Sequence, residues 1–283
     1  MNIDLHSHTH FSDGKLSVPE LLMRAQNFQL DALAITDHDC VDALPVAHQW
    51  LSKNNNAKKP LMLIGGVEIS TKWHGFEIHI LGLDINYQSE KLKNRLKTQL
   101  DKRQERAEKI CLKLHKIGIT DVLNDVNKLV NSDMDFGCIS RGHIAQILVQ
   151  RGVCQHFQQA FTQFLGKDKK AYVAPNWISI SEAIEWIHDA NGLAVIAHPF
   201  HYDMTTKWLR RLTSEFKQSG GDGMEVQHPN LAKAKHDLMC KIALENDLMG
   251  SAGSDFHGPS RWTELGRRLN IPNTITPIWS KFK

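Results

Sequence analysis

The chain has 283 residues, of which 41% are hydrophobic and 23% are charged, and its formal net charge is +3. These values are typical of a globular protein that buries a substantial core, either as one large barrel or as two ordinary domains. The sequence contains no run of 18 apolar residues and no signal-peptide pattern, so we expect a cytoplasmic protein without membrane association.

Cysteine and histidine usage narrows the kinds of site to expect. Five cysteines form neither CxxC pairs nor an even framework, which argues against a disulfide scaffold and against a structural zinc ribbon. Histidine is unusually frequent, with 16 in the chain against 3 tyrosines. A metal site or a histidine-rich catalytic centre is therefore the first feature to look for.

The first 87 residues contain four strand-like apolar segments. They span residues 3–8, 32–39, 61–70 and 76–85. A helical pattern, "VPELLMRAQNFQL", follows the first of them and has Pro19 near its start, where proline is well tolerated. Each strand-like segment contains or ends in His, Asp or Glu residues that are capable of chemistry.

Residues 88–170 interrupt this pattern with helices alone. Leucine and isoleucine at helical spacing predict a helix over residues 88–118, Thr120 is the candidate cap of a second, and segments 140–153 and 156–166 have the pattern of two more. This segment carries 16 Lys and Arg against 9 Asp and Glu, a balance of +7. It either faces an anion such as phosphate or nucleic acid, or forms the solvated face of basic helices.

Three further strand-like segments, at 193–199, 223–229 and 249–257, alternate with helical patterns. One helix has the capping box Ser179-x-x-Glu182 at its start. Strands that alternate with helices favour parallel pairing with right-handed crossovers. Because chemistry-bearing residues recur at the strand ends all along the chain, we predict an α/β fold, a seven-stranded barrel rather than an open sheet.

Nine histidine and carboxylate residues at these strand ends form a candidate metal site. His6 and His8 alternate on one strand, so both rings leave the same face. Glu68 ends an apolar strand and needs a charged partner there. The complete set is His6, His8, Asp13, His38, Glu68, His79, His198, Asp255 and His257. Taken singly, most of them could be ordinary turn or core residues, and it is their recurrence that indicates a site.

The composition of this set limits the metals. Nine nitrogen and oxygen ligands with no thiolate exceed what one ion needs and suit two or three divalent ions. A mixture of imidazole and carboxylate is compatible with Mn²⁺, Fe²⁺ or Zn²⁺.

The motifs "HSHTHFSDG", "ITDHD", "GVEIS", "IHILG", "AHP" and "GSDFH" resemble, in this order, the metal-binding motifs of the PHP (polymerase and histidinol phosphatase) phosphoesterase family. The resemblance spans essentially the whole chain. It implies a distorted (β/α)₇ barrel, here formed by residues 1–87 and 171–283, with a small helical insertion domain, residues 88–170, between strands 4 and 5.

The resemblance also implies a trinuclear cluster in which Mn²⁺ is the first expectation. The implied ligands are His6, His8, Glu68 and Asp255 for the first ion, Glu68, His79 and His198 for the second, and Asp13, His38 and His257 for the third. His10, Asp37 and Asp39 lie inside the motifs, and we expect them to orient ligand rings through hydrogen bonds or to form turns.

The insertion resembles the stand-alone bacterial group of this family that includes nucleoside 3′,5′-bisphosphate phosphatases and 5′→3′ exoribonucleases. This implies cleavage of the P–O3′ bond by metal-bridged hydroxide attack, with RNA 5′ ends and nucleoside bisphosphates as substrates and no obligate protein partner. Arg141 is the candidate 5′-phosphate ligand, because guanidinium binds phosphate bidentately and a helix N-terminus there adds amide donors. His228 either contacts substrate or bonds locally.

Two other hypotheses stay open. An amidohydrolase-type metal hydrolase shares the HxH start and the barrel but acts on a substrate without phosphate, and an inactive metal- or RNA-binding regulator normally lacks part of the ligand set.

Outside the ligand set, several basic and aromatic side chains are candidates for RNA backbone contact or base stacking, with core packing as the alternative for the tryptophans. They are Lys169, Lys170, Arg261, Arg267, Arg268, Trp177 and Trp262.

Overall fold

The computed structural model describes residues 1–55, 58–131, 138–260 and 263–283, so Arg261 and Trp262 lie outside the described residues. The strands are β1 (Ile3–Asp4), β2 (Ala32–Ile35), β3 (Met62–Trp73), β4 (Phe76–Leu83), β5 (Ile178–Ser179), β6 (Leu193–Ile196), β7 (Gly223–Gln227) and β8 (Met249–Ala252). The α-helices are α1 (Val18–Asn27), α2 (Ala43–Asn54), α3 (Glu90–Lys116), α4 (Val122–Asn131), α5 (Arg141–Gln150), α6 (Phe157–Ala160), α7 (Ile180–Asp189), α8 (Thr206–Gln218) and α9 (Lys233–Glu245). A π-helical turn, Phe161–Leu165, continues α6.

The strands form one sheet that nearly closes on itself. Its order is β1-β2-β3-β4-β6-β7-β8, and the short β5 pairs with β3 off this path. Backbone hydrogen bonds join its two edges, since Leu5 N donates to Ala252 O at 3.1 Å and His8 N donates to Phe256 O at 2.9 Å. The predicted seven-stranded α/β barrel is confirmed.

One strand departs from the predicted parallel pattern. β4 runs antiparallel to both β3 and β6. It follows β3 through the two-residue turn of His74 and Gly75, whose φ angles of 43° and 82° fit a type I′ hairpin. Because of this turn, β4 begins at the end of the barrel where the parallel strands finish. His79 therefore reaches that rim from within a strand, where it pairs with Ser70.

Alternating side chains of the strands enter two separate apolar clusters, as the two-residue period of a strand requires. In β2, Ala32 and Ala34 pack with Leu5 and Val195, whereas Leu33 and Ile35 pack on the opposite side with helix residues. These helix residues include Leu21, Leu44, Ile187, Leu212 and Ile242. Both faces of the sheet are thus covered, which explains why the strand segments are apolar with little polar alternation.

The structure confirms the predicted helix starts at positions where a side chain caps the helix. Side-chain caps precede α1, α5 and α7 at Ser17, Ser140 and Ser179, and each cap forms a reciprocal pair with the third helical residue. The expected cap Thr120 is wrong, because α4 starts at Val122 and Asp121 immediately precedes it.

The helices of the insertion build a second apolar cluster that includes Ala107, Leu114, Ile144 and Leu148. Leu92 and other residues of the first turns of α3 pack instead with the barrel cluster, so this helix belongs to both cores. The division at residues 88 and 170 stays a prediction. No helix in the described part of the chain is long and apolar enough to cross a membrane.

The β3–β4 turn offers a test of the hairpin. A Cβ added at Gly75 would meet no atom within 4 Å, so the cost of Gly75→Ala is backbone strain at positive φ alone. We expect the free energy of unfolding to fall by about 1–2 kcal/mol, measured by urea denaturation. Lys72→Ala, at an exposed position of the same strand, should change it by less than about 0.5 kcal/mol. Unchanged stability of Gly75→Ala would contradict the turn geometry.

Candidate metal centre and its cleft

The nine predicted ligands lie together at the barrel rim where the parallel strands end. His6 and His8 follow β1, His38 follows β2, and His198 follows β6. Glu68 and His79 project from the β3–β4 hairpin. Asp13 precedes α1, and Asp255 and His257 follow β8. The barrel topology therefore brings residues from the whole length of the chain to one place.

The carboxylate of Glu68 is the centre of this group and is fully buried. Five imidazole nitrogens surround its two oxygens. They belong to His79 at 2.8 Å, His38 at 2.9 Å, His198 at 3.0 Å, His8 at 3.3 Å and His6 at 3.4 Å. Such an arrangement lets one carboxylate serve as a ligand shared between ions.

Two aspartates flank Glu68 on either side. Asp255 Oδ1 lies 3.3 Å from Nε2 of both His6 and His8. Asp13 Oδ1 lies 3.2 Å from His257 Nε2 and also faces the ring of a second histidine. The carboxylates and imidazoles thus alternate across the whole site.

Burial and charge act in opposite directions on these groups. Burial by itself raises the pKa of Asp13, Glu68 and Asp255, but the surrounding imidazoles outweigh it and hold each pKa well below its ordinary value. Burial lowers the pKa of His38 to about 4, whereas nearby carboxylates outweigh burial and raise the pKa of His257. The carboxyl groups are therefore ionised at neutral pH, as metal ligands must be.

Unpartnered buried atoms test whether these residues fit metal ions. Five such atoms face the centre without a hydrogen-bond partner among the described residues. They are His6 Nε2, His8 Nε2, Asp13 Oδ1, His38 Nδ1 and Glu68 Oε2. A buried polar atom without a partner is costly, and divalent ions would satisfy all five. The donor set fits the predicted metals.

Three overlapping groups of residues could each hold an ion, because the ligand atoms within each group lie within 4.8 Å of one another. They are His6, His8 and Glu68, then His38, Glu68 and His79, and finally His8, Asp13, His38 and His257. These groups resemble the three implied ligand sets, although His38 enters the second and His8 the third. His198 and Asp255 lie outside the groups but contact Glu68 and His6 respectively. The assignment of each ligand to an ion stays a prediction.

Asp37 makes the orienting contacts expected of it. It accepts hydrogen bonds from Thr9 N at 2.8 Å and from Ser12 Oγ at 2.6 Å. Because Ser12 donates to Asp37, its Oγ can accept a hydrogen bond from His8 Nδ1, 3.3 Å away. This places a proton of His8 on Nδ1, so that Nε2, which faces Glu68 and Asp255, is the nitrogen available to a metal ion.

Within the described residues Asp39 and His10 form no hydrogen bond to a ligand ring, and both lie in turns, which is the other role expected of them. Asp39 accepts hydrogen bonds from Ser70 N at 2.9 Å and from Arg103 Nε at 2.6 Å. His10 lines the cleft beside the site, and its Nδ1 has no partner among the described residues.

Glu225 in β7 supports two ligands and was missed from the sequence. Its Oε1 lies 3.1 Å from His6 Nδ1, and its Oε2 accepts a hydrogen bond from His198 N at 2.5 Å. His198 has a left-handed backbone with φ of 30°, so this bond holds a strained residue in place. The signal was available, because a glutamate inside the apolar run "GMEV" needs a partner just as Glu68 does.

A cleft of ≈ 810 Å³ separates the metal centre from the insertion helices. Asp13, His38, His79 and His257 line its barrel side. Three arginines line it as well, namely Arg103, Arg106 and Arg141. Three of the sixteen basic side chains of the insertion therefore line the same cleft as four of the predicted metal ligands.

The three arginines share two carboxylates. Arg106 binds Glu77 with two hydrogen bonds of 2.9 and 3.0 Å, and Arg141 Nη2 donates to the same carboxylate at 3.1 Å. Arg103 pairs with Asp39. Among these five groups the arginines exceed the carboxylates by one positive charge. The sequence did not reveal the two α3 arginines, because they lie in the uniformly charged run "DKRQERAEK".

Two amide groups of α5 and the side chain of His228, which were candidates for substrate contact, form hydrogen bonds within the protein. Gly142 N and His143 N donate to their own cap Ser140, so the expected amide donors of α5 are wrong for these two groups. His228 is not among the residues that line the cleft, and its Nδ1 accepts a hydrogen bond from Asn230 N.

Of the other candidates for RNA contact, Trp177 is 3% exposed and packs beneath Arg103 and Arg106. The described lysines and arginines proposed to follow an RNA backbone do not line the cleft. These are Lys169, Lys170, Arg267 and Arg268.

Comparison with known proteins decides the family. A model of the PHP domain matches residues 4–192. The chain belongs to the PHP family. A 5′-3′ exoribonuclease of Haemophilus influenzae is 40% identical over 279 residues, which are 99% of this chain and 98% of that protein. A 3′,5′-nucleoside bisphosphate phosphatase of Chromobacterium violaceum is 36% identical over 289 residues, which are 100% of this chain and 96% of that protein.

Two solved structures share this fold over nearly the whole chain. An amidohydrolase from Chromobacterium violaceum, with bound sulfate and no metal, matches with a TM-score of 0.90 and 34% identity over 100% of this chain and 96% of that chain. A predicted metal-dependent phosphoesterase from Bifidobacterium adolescentis matches with a TM-score of 0.81 and 27% identity over 96% of this chain and 93% of that chain. The predicted class, a PHP-family metal-dependent phosphoesterase, is confirmed.

Glu225 provides a test of the supporting contacts. Each oxygen of Glu225 accepts one hydrogen bond, from His6 Nδ1–H or from His198 N–H. In Glu225→Gln an NH₂ group replaces one of these oxygens and cannot accept, so one hydrogen bond is lost. We expect Mn²⁺ affinity to fall by about 10–100-fold, measured by calorimetric titration of metal-stripped protein.

A matched control for this substitution exists at the other end of the barrel. Asp222 accepts hydrogen bonds from His188 Nε2 and from Ala194 N, each at 2.8 Å, and contacts no predicted ligand. Asp222→Asn should therefore keep full metal affinity. Equal losses in the two variants, or none in Glu225→Gln, would show that Glu225 has no role in holding metal.

Proposed function

We propose that this PHP-family enzyme is a 5′→3′ exoribonuclease that cleaves the P–O3′ bond next to a 5′-phosphorylated RNA end. The same reaction would release the 3′-phosphate of nucleoside 3′,5′-bisphosphates. The observation that carries the proposal is a single cleft lined by four of the nine predicted metal ligands and by three arginines. A substrate with two phosphates on one ribose needs two such anion sites.

The connection between the two anion sites runs through the β3–β4 hairpin. Glu77 and His79 are two residues apart in β4, so their side chains lie on the same face of the strand. Glu77 holds Arg106 and Arg141, while His79 contacts Glu68. Arg103 Nη2 also donates to Ser70, the ladder partner of His79. The arginines are thereby fixed beside the metal ligands.

Glu77 keeps the arginines in position. Burial raises its pKa, but Arg106 and Arg141 outweigh burial and lower it to about 2. The ionised carboxylate orients both guanidinium groups without neutralising all three arginines. The 5′-phosphate of the substrate would bind to the remaining donors, and Arg141 is the proposed principal ligand because it has one bond to Glu77 and Arg106 has two.

The ions that the nine ligands would hold supply water activation and stabilisation of charge on the reacting phosphate. We propose two or three ions and Mn²⁺ as the first choice, with Fe²⁺ and Zn²⁺ compatible with the same ligands. The protein contributes the ionised carboxylates, the fixed tautomer of His8 and the arginines that place the scissile phosphate against this centre.

The cleft distinguishes between the competing hypotheses. Three arginines in the lining of the cleft favour a substrate that carries phosphate over the phosphate-free substrate of an amidohydrolase. An inactive regulator is disfavoured because all nine predicted ligands are present and seven of them form groups that could hold a metal ion. In this proposal the insertion, residues 88–170, supplies the phosphate-binding side of the site. His228 does not line the cleft, and its ring lies 5.3 Å from that of Phe200 and 5.2 Å from that of His201, so we leave it outside the proposed machinery.

Arg141→Ala tests the proposed 5′-phosphate contact. We expect kcat/KM for 5′-monophosphorylated RNA to fall by about 10–100-fold, while the slower cleavage of 5′-hydroxyl RNA stays nearly unchanged. The assay follows the release of 5′-mononucleotides over time with Mn²⁺ present. Arg210→Ala is the control, because Arg210 also binds a glutamate but lies outside the cleft.

Three results of this assay would count against the proposal. Equal losses on both RNAs would contradict the role of Arg141. Phosphate release from adenosine 3′,5′-bisphosphate with no RNA cleavage would make the enzyme a nucleotide phosphatase. No activity on either substrate, with the metal content verified, would contradict the proposed function.

A further inference from the structure

The insertion side of the cleft carries exposed aromatic surface. Phe157 is 51% exposed, and its ring lies 5.4 Å from that of Phe161, which also lines the cleft. Exposed aromatic area in a concave site is unfavourable in water and favours a ligand that covers it. Phe161 is also the first residue of the π-helical turn, and π turns are rare features that occur frequently at functional sites.

Two amide side chains lie on the same side. Gln146 and Gln150 are one helical turn apart in α5, so they share a face of the helix, and both are exposed to the cleft. Neither amide forms a hydrogen bond within the described part of the chain. Each amide offers both a donor and an acceptor, which is the pattern that the edge of a nucleobase presents.

The position of these four residues fits a nucleotide. Arg141 begins the helix that carries both glutamines, and its guanidinium carbon lies 5.9 Å from the centroid of the Phe161 ring. In a nucleotide the base and the 5′-phosphate branch from one ribose, so a base site must adjoin a 5′-phosphate site. The four side chains carry no charge, which suits a base and not a second phosphate.

We infer that Phe157, Phe161, Gln146 and Gln150 form a base shelf that binds the nucleobase of the 5′-terminal nucleotide. This inference rests on the proposed function, because it assumes that Arg141 binds the 5′-phosphate. The rings stack on the base and supply affinity that every base shares, since every base has a π-face. The glutamines face its polar edge. Stacking of this kind does not select one base over another.

Binding of product fragments tests the shelf without any catalytic step. Adenosine 5′-monophosphate and ribose 5-phosphate carry the same 5′-phosphate, and only the first has a base. We expect the Mn²⁺-loaded enzyme to bind adenosine 5′-monophosphate about 10–100-fold more tightly in calorimetric titration. Phe157→Ala should remove most of this difference and leave the affinity for ribose 5-phosphate unchanged.

The chain supplies a matched control and a second variant. Phe28 is 43% exposed, lies outside the cleft and also has an arginine over its ring, so Phe28→Ala should keep the full difference. Phe161→Leu keeps apolar volume in the half-buried position and should reduce the difference without loss of folding.

The outcomes separate the shelf from the proposed function. Equal affinity of the wild-type enzyme for both compounds, or equal losses for both in Phe157→Ala, would overturn the shelf alone. Failure of both compounds to bind would overturn the proposed 5′-phosphate site and the shelf with it.

Discussion

Glu68 is a fully buried carboxylate with five imidazole nitrogens around its two oxygens, and the rest of the site is arranged around this group. An ionised carboxylate in such a place is tolerated only when opposite charge or metal surrounds it. The barrel provides that surrounding by ending β1, β2, β6 and β8 at the same rim and by presenting His79 from the antiparallel β4. The ligands come from the ends of several strands spread along the chain, so the fold and the site are specified together.

Contacts outside the ligand set fix the positions that the ligands need. Asp37 acts on His8 through Ser12, and Glu225 holds both the ring of His6 and the strained backbone of His198. On the opposite side of the cleft, Glu77 holds two arginines and Asp39 a third. The centre and the proposed phosphate site therefore share one support, the β3–β4 hairpin with its adjoining strand end.

The sequence was informative where a local pattern has one physical meaning. Apolar strands that finish in histidine or carboxylate predicted the barrel and the nine ligands, and the structure places these side chains together. The direction of β4 was not predicted, because its signal is only the two-residue turn of His74 and Gly75. The α3 arginines were missed since nothing in a charged helix indicates which side chains face another element. The role of Asp39 likewise depends on a long-range contact, whereas the apolar run around Glu225 indicated that it needs a partner but not which one.

Elemental analysis of the protein, dialysed after loading with Mn²⁺, tests the Glu68-centred metal cluster most directly. Two or three ions per chain are expected for the wild-type protein, and at most one for Glu68→Gln that remains folded by circular dichroism. A wild-type protein that retains no metal, or a folded Glu68→Gln variant that retains the full number of ions, would contradict the cluster.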